Sequence, residues 1–135
     1  MPPSTPGAVL RRAVQILAVN GRHVGNWYDI DQHASGIPAE RCGLCMLGAL
    51  NVAVGLRPDT PLADHPVIRA RRLVYRAALL LAAALGESPD PRSLLQVLSD
   101  WHDGVMAPVP PADESVTALM LQAADADQAL ADDTH

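Results

Sequence analysis

Two short stretches hold the residue types best suited to chemistry: Cys42-Gly43-Leu44-Cys45 and Trp101-His102-Asp103-Gly104. Cys45 could act as a nucleophile, His102 as its base and Asp103 as a polar helper, the set a thiol-dependent acyl transferase or hydrolase needs. Successive side chains on a helix point about 100° apart, so Asp103 is not expected to orient His102 directly. A plainer account treats the second stretch as a helix end. Trp101 would anchor the apolar face, His102 would favour the negative end of the dipole, and Asp103-Gly104 would turn the chain.

The CxxC spacing allows two further chemistries. A redox pair needs a low-pKa thiol at a helix N-terminus inside a βαβ frame, and no such frame surrounds these cysteines. Zinc needs four ligands; there is no second CxxC, and His23, His33 and His102 fit no finger spacing. Two small thiols buried on an apolar helix explain the pattern more simply. No metal or other cofactor is expected, and a metal or redox protein using Cys42 and Cys45 is the alternative.

Binding rather than catalysis could draw on two other groups. Arg69, Arg72 and Arg76 share one helix face and could hold a phosphate or carboxylate, although such a stripe is more often solvated. Trp27, Tyr28 and Asp29 lie in a connection running from Arg22 to Arg41, longer than most in compact domains and therefore suspected of function. Trp101 joins this binding set.

The elements that must position these residues are helical. Thr5-Pro6 opens a helix with apolar residues Leu10, Ala13, Val14 and Leu17, stopped at Asn20-Gly21. A second helix over 42–54 is apolar nearly all round and should be buried. Its Gly48 is expected to admit another helix closely. A third runs from His65-Pro66 to Leu85-Gly86, and a fourth starts at Ser88-Pro89-Asp90-Pro91 with Asp90 as cap and stops at Gly104. A fifth begins near Asp113 or Ser115. Trp27, Tyr28 and Ile30 favour strand, so a short β-hairpin between helices 1 and 2 is an option. Residues 1–4 and 131–135 are expected to fray.

Composition narrows the class. The 135 residues include no Phe and no Lys; hydrophobic residues make up 49 % and aromatics only 3 %. A core of Ala, Leu and Val without aromatics favours helix over sheet. Net charge is −5, which disfavours nucleic acid as a partner. It divides into +4 over residues 1–86 and −9 over residues 87–135, so the halves are expected to attract each other within one fold. The longest apolar run, Ala77–Leu85, is far short of the ~20 residues a membrane span needs. With no signal-peptide pattern and two cysteines, a cytoplasmic setting is expected.

The stretch Arg41-Cys42-Gly43-Leu44-Cys45-Met46-Leu47-Gly48-Ala49-Leu50 resembles the Cys-x-x-Gly-Ala-Leu signature of an uncharacterised domain family of actinobacteria and their phages. Asn20-Gly21, Trp27-Tyr28-Asp29, Trp101-His102-Asp103 and Glu114-Ser115-Val116 follow that family's order across nearly the whole chain. Cys45, Gly48, Ala49, Leu50, Trp101 and Asp103 fit its pattern. Cys42 lies outside it, and His102 stands where the family usually has Asn. The resemblance implies a fold and carries no activity. The lysine-free composition agrees with a high-GC actinobacterial source.

These observations predict an all-α chain, one helical domain over residues 1–135 with about five helices. The leading function is a binding or interaction domain for a small molecule or protein. Its site would be formed by the 22–41 loop, the start of helix 2 and the Trp101–Asp103 turn. Helical, alanine-rich surfaces also leave a homodimer open.

Overall fold

Thr5 and Pro6 begin the first helix as their types dictate. The Thr5 side chain accepts from the Ala8 N–H, and proline takes the first turn of α1 (Pro6–Asn20). Gly21, at φ +91°, ends it with its N–H on the Leu17 carbonyl. Five more α-helices follow: α2 (Ile30–Ala34), α3 (Met46–Ala53), α4 (Arg69–Ala84), α5 (Leu94–Asp103) and α6 (Asp113–Asp133). A 3-10 turn covers Ala39–Arg41. The computed structural model describes residues 2–62, 68–87, 93–105 and 107–133, with the backbone alone at 131 and 133.

The all-α expectation holds, with six α-helices among the described residues in place of about five. The additional one is the five-residue α2, begun by Asp29, whose carboxylate accepts from the N–H groups of Asp31 and Gln32. α6 runs on to Asp133, past the expected fraying point. The expected start of α4 at His65-Pro66 lies outside the described residues. So does the expected cap Asp90; α5 instead begins at Leu94, where the Ser93 hydroxyl accepts from Gln96 N–H.

No hairpin forms between α1 and α3 among the described residues. The strand preference of the loop is met differently. Residues 43–45 are extended, and loop segments pair with them on both sides, parallel at Arg22–Leu44 and antiparallel at Tyr28–Leu44. His23 N–H donates to Leu44 O, Leu44 N–H to Gly21 O, Asp29 N–H to Gly43 O and Cys45 N–H to Trp27 O, at 2.8–3.1 Å. These four bonds satisfy backbone groups that a helix over 42–45 would have used otherwise. They explain why α3 begins at Met46 and not at Cys42. The Asn20 side chain adds two more ties, donating to the carbonyls of Glu40 and Cys42.

One apolar core is shared by α1, α3, α4, α5 and α6. Leu10, Leu50, Leu81, Leu98 and Met120 are fully buried in it, and α3 is buried nearly all round. The oppositely charged halves meet as expected. Asp127 of α6 accepts from Gly7 N–H at the positive end of α1 (2.9 Å), and Arg11 pairs with Asp125 (2.8 Å). The Arg11 pair is exposed and adds little. No helix among the described residues is long and apolar enough to cross a membrane.

Candidate functional site

Gly48 lies under the loop. A Cβ at this position would come within 2.4 Å of the Trp27 carbonyl oxygen. The glycine therefore admits loop backbone, and not a second helix as its place in an apolar helix suggested. The same carbonyl accepts from Cys45 N–H at 3.1 Å. One turn on, Gly48 N–H donates to Cys45 Sγ at 3.2 Å, so the thiol is the N-cap of α3. The Cys-x-x-Gly spacing thus has a structural reason: a side-chain cap and, three residues later, the bare Cα that lets the loop sit on the helix.

This junction forms one wall of a cavity of about 230 Å³. Gly25, Asn26 and Trp27 line it from the loop, Cys45, Met46 and Leu47 from the start of α3. Leu95, Leu98, Ser99, His102 and Asp103 line it from α5. The three segments named from sequence come together here. The apolar part is Met46, Leu47, Leu95 and Leu98. The polar part is Cys45, Ser99, His102 and Asp103, with Asn26.

His102 is the more constrained of the two candidate acid–base groups. It is 2 % exposed. Its Nδ1 lies 3.0 Å from Asp103 Oδ1, and its Nε2 lies 3.2 Å from Arg22 Nη1. The carboxylate only accepts and the guanidinium only donates, so Nδ1 carries the proton and Nε2 is the acceptor. Burial lowers the imidazole pKa; Asp103 opposes this and Arg22 reinforces it. The ring is neutral, and its one lone pair faces an arginine. The Asp103 contact corrects the expectation that adjacent residues could not pair: at the last turn of α5 the two side chains reach each other. Asp103 Oδ1 also accepts from Gly25 N–H at 3.2 Å, which fastens the loop to α5.

Arg22 escaped the sequence reading. Its side chain is 10 % exposed and spans three elements. Nε pairs with Asp113 at 2.7 Å, Nη2 donates to the Pro111 carbonyl, and Nη1 reaches His102. No local signal separates it from the other nine arginines, because its partners lie far away along the chain. The cavity residues Leu95 and Ser99 were missed as well. Their spacing with Leu98 and His102 marks one face of α5 and would have found them.

The thiols have separate surroundings. Burial, helped by the Asp103 charge and opposed by the N–H groups of Gly48 and Leu47, pushes the Cys45 thiol up to about 11. Cys42 is fully buried and its Sγ donates to the carbonyls of Pro38 (3.4 Å) and Ile37 (3.7 Å). Both cysteines are free. Among the described residues no group of three or more His, Cys, Asp or Glu is placed to hold a metal ion.

The other sequence candidates lie outside the cavity. Tyr28 meets the His33 ring edge-on at 5.6 Å, and Asp29 caps α2. Trp101 lines a separate hollow of about 380 Å³ on another side of α5, with Val97, Leu85 and Val109. Arg69, Arg72 and Arg76 are exposed on α4 and line neither space.

Residues 1–126 match a family described as "Family of unknown function (DUF6197)". No curated protein and no solved structure matches the chain.

Proposed function

The chain belongs to this family of unknown function, and from the geometry of the site we propose that it is a binding domain for a small molecule held between the loop, α3 and α5. The observation that carries this reading is the 230 Å³ cavity walled by three segments distant in sequence. Ligand pockets combine apolar walls with a few placed polar groups, and this cavity has both at one end of a buried helix. Its volume lies below the ~300–1,000 Å³ typical of drug-sized ligands, so the ligand is small. Polar groups fixed by the Asp103–Gly25 and His102–Arg22 contacts are held in place before binding, which lowers the entropy cost of capture.

A thiol-dependent reaction at Cys45 gains no support from this arrangement. A thiol at about 11 is almost wholly protonated at neutral pH. The candidate base already has its Nε2 lone pair directed at Arg22. The sulfur itself is engaged as a helix cap.

A fragment screen followed by NMR tests the proposal. Binders should shift the Trp27 indole and the Leu95 and Leu98 methyl signals. Leu95→Trp, which places a large ring at the cavity wall, should abolish those shifts in a protein that still folds. Fragments that bind equally well to Leu95→Trp, or that leave the three residues unmoved, would overturn it.

A further inference from the structure

Among the described residues, Asp103 supplies the one carboxylate on the cavity wall. Its Oδ1 accepts from Gly25 N–H and from the His102 ring. Neither donor carries a charge, because burial and the Arg22 guanidinium on Nε2 keep His102 neutral against the pull of Asp103. Arg22, on the other side of the His102 ring, engages Asp113, the Pro111 carbonyl and His102 Nε2. Among the described residues the ion-pair contact of Asp103 is with the His102 ring alone, at Oδ1 and charged only when the ring is protonated; no arginine pairs with Asp103, and Oδ2 has no hydrogen-bond partner. A half-buried carboxylate without a counter-charge is costly, and a cation that reaches it is held by a charge-assisted hydrogen bond.

We propose that the cavity takes a small organic ammonium: its N–H donates to Asp103 Oδ2, and its short alkyl tail packs on Met46, Leu47, Leu95 and Leu98. The assignment rests on the reading of this cavity as the binding site and gives the chemical class of the ligand. The Ser99 hydroxyl, on the same face of α5, accepts a second N–H. An anion is excluded by the like charge of Asp103. At the start of α3, Cys45 N–H is bound to Trp27 O and Gly48 N–H to the Cys45 sulfur, so neither is open to an anion.

The test titrates the full chain with n-butylammonium, 1-butanol and butyrate, following binding by calorimetry and by the Trp27, Leu95 and Leu98 signals. The three probes share a tail and differ in the head. Butylammonium should bind at least about tenfold more tightly than butanol, with butyrate weakest. Asp103→Asn should bring butylammonium down to the level of butanol. Ser99→Asp, which adds a second carboxylate to the same wall, should tighten butylammonium several-fold and loosen butyrate. It keeps the assignment falsifiable should Asp103→Asn fail to fold. Butanol or butyrate binding at the cavity as well as butylammonium overturns the ammonium assignment and leaves the binding reading standing. No gain in Ser99→Asp also overturns the assignment. If no probe moves the three signals, both fall together.

Discussion

Replacing Gly48 by alanine sets two effects of opposite sign against each other, and the structure says which wins. Alanine is the better helix former by about 1 kcal/mol in a helix interior, so a free-standing α3 would gain. In the folded chain the new methyl lies 2.4 Å from the Trp27 carbonyl oxygen, a distance that real Cβ atoms do not tolerate. The obstacle is loop backbone, which cannot rotate away as a side-chain tip would. Relieving the overlap lifts the loop and stretches the 3.1 Å bond from Cys45 N–H to that carbonyl. Forced overpacking costs roughly 1–3 kcal/mol, and the lost bond about 1 kcal/mol more. After the helix gain, Gly48→Ala should destabilise by roughly 1–3 kcal/mol. For a chain of this size that lowers Tm by about 3–5 °C per kcal/mol. Thermal unfolding followed by circular dichroism measures it, and a changed Trp27 fluorescence or indole signal would locate the strain in the loop. A variant as stable as the parent, or more stable, would refute the close approach and with it the reason given for the Cys-x-x-Gly spacing.

Further outcomes are expected elsewhere. Cys45→Ser keeps a cap oxygen and should change stability by less than about 1 kcal/mol, whereas Cys45→Ala loses the cap at about 0.5–2 kcal/mol; in the parent chain, alkylation of Cys45 at pH 7 should be slow, rise about tenfold per pH unit and level off only near pH 11. The folded His102 has a lowered pKa, so below about pH 6.5 the unfolded chain binds a proton that the folded chain refuses, and stability should fall as pH drops through that range. Urea unfolding from pH 8 to 5 should show this decline, and His102→Gln should flatten it. Arg22→Met removes a nearly buried guanidinium from the Pro111 carbonyl and from His102, and should cost roughly 1–3 kcal/mol. It should also raise the His102 pKa, seen by NMR titration, because Arg22 opposes protonation of the ring.

Local signals served well where the structure is local. Thr5-Pro6 and Asn20-Gly21 bounded α1 correctly because caps and stops act within one turn. Of the apolar run from Ala77, the residues Ala77, Ala78, Leu81 and Ala82 enter the core as expected, while Leu79 and Ala83 are exposed on the other face of α4. The errors fall where distant segments compete for the same backbone. Cys42–Cys45 has helix-compatible composition, yet Gly21, His23, Trp27 and Asp29 claim the N–H and carbonyl groups of residues 43–45. Cysteine is also an unusual helix cap, so nothing at Cys45 announced the true start of α3. Four of the site's residues, Trp27, Cys45, His102 and Asp103, could be named from residue type and position. Their coupling could not, since it depends on Arg22 and Gly25, which are ordinary until the loop folds back onto α5.

The loop over 21–45 is tied at its entry, its middle and its exit: Gly21 and His23 bond to Leu44, Trp27 to Cys45, and Asp29 to Gly43. Its outer bend at Ser35-Gly36 is exposed, with Gly36 at φ +106°, and sits on the far side of those ties. Chain length can therefore vary at that bend without the change reaching the cavity. Lengthening a loop whose ends are already held costs only about 0.6 kcal/mol per doubling. Ser35-Gly36 is consequently the place where the protein can accept inserted sequence, whether by natural drift or as an engineered tag or reporter, while Gly25, Trp27 and Cys45 keep their positions.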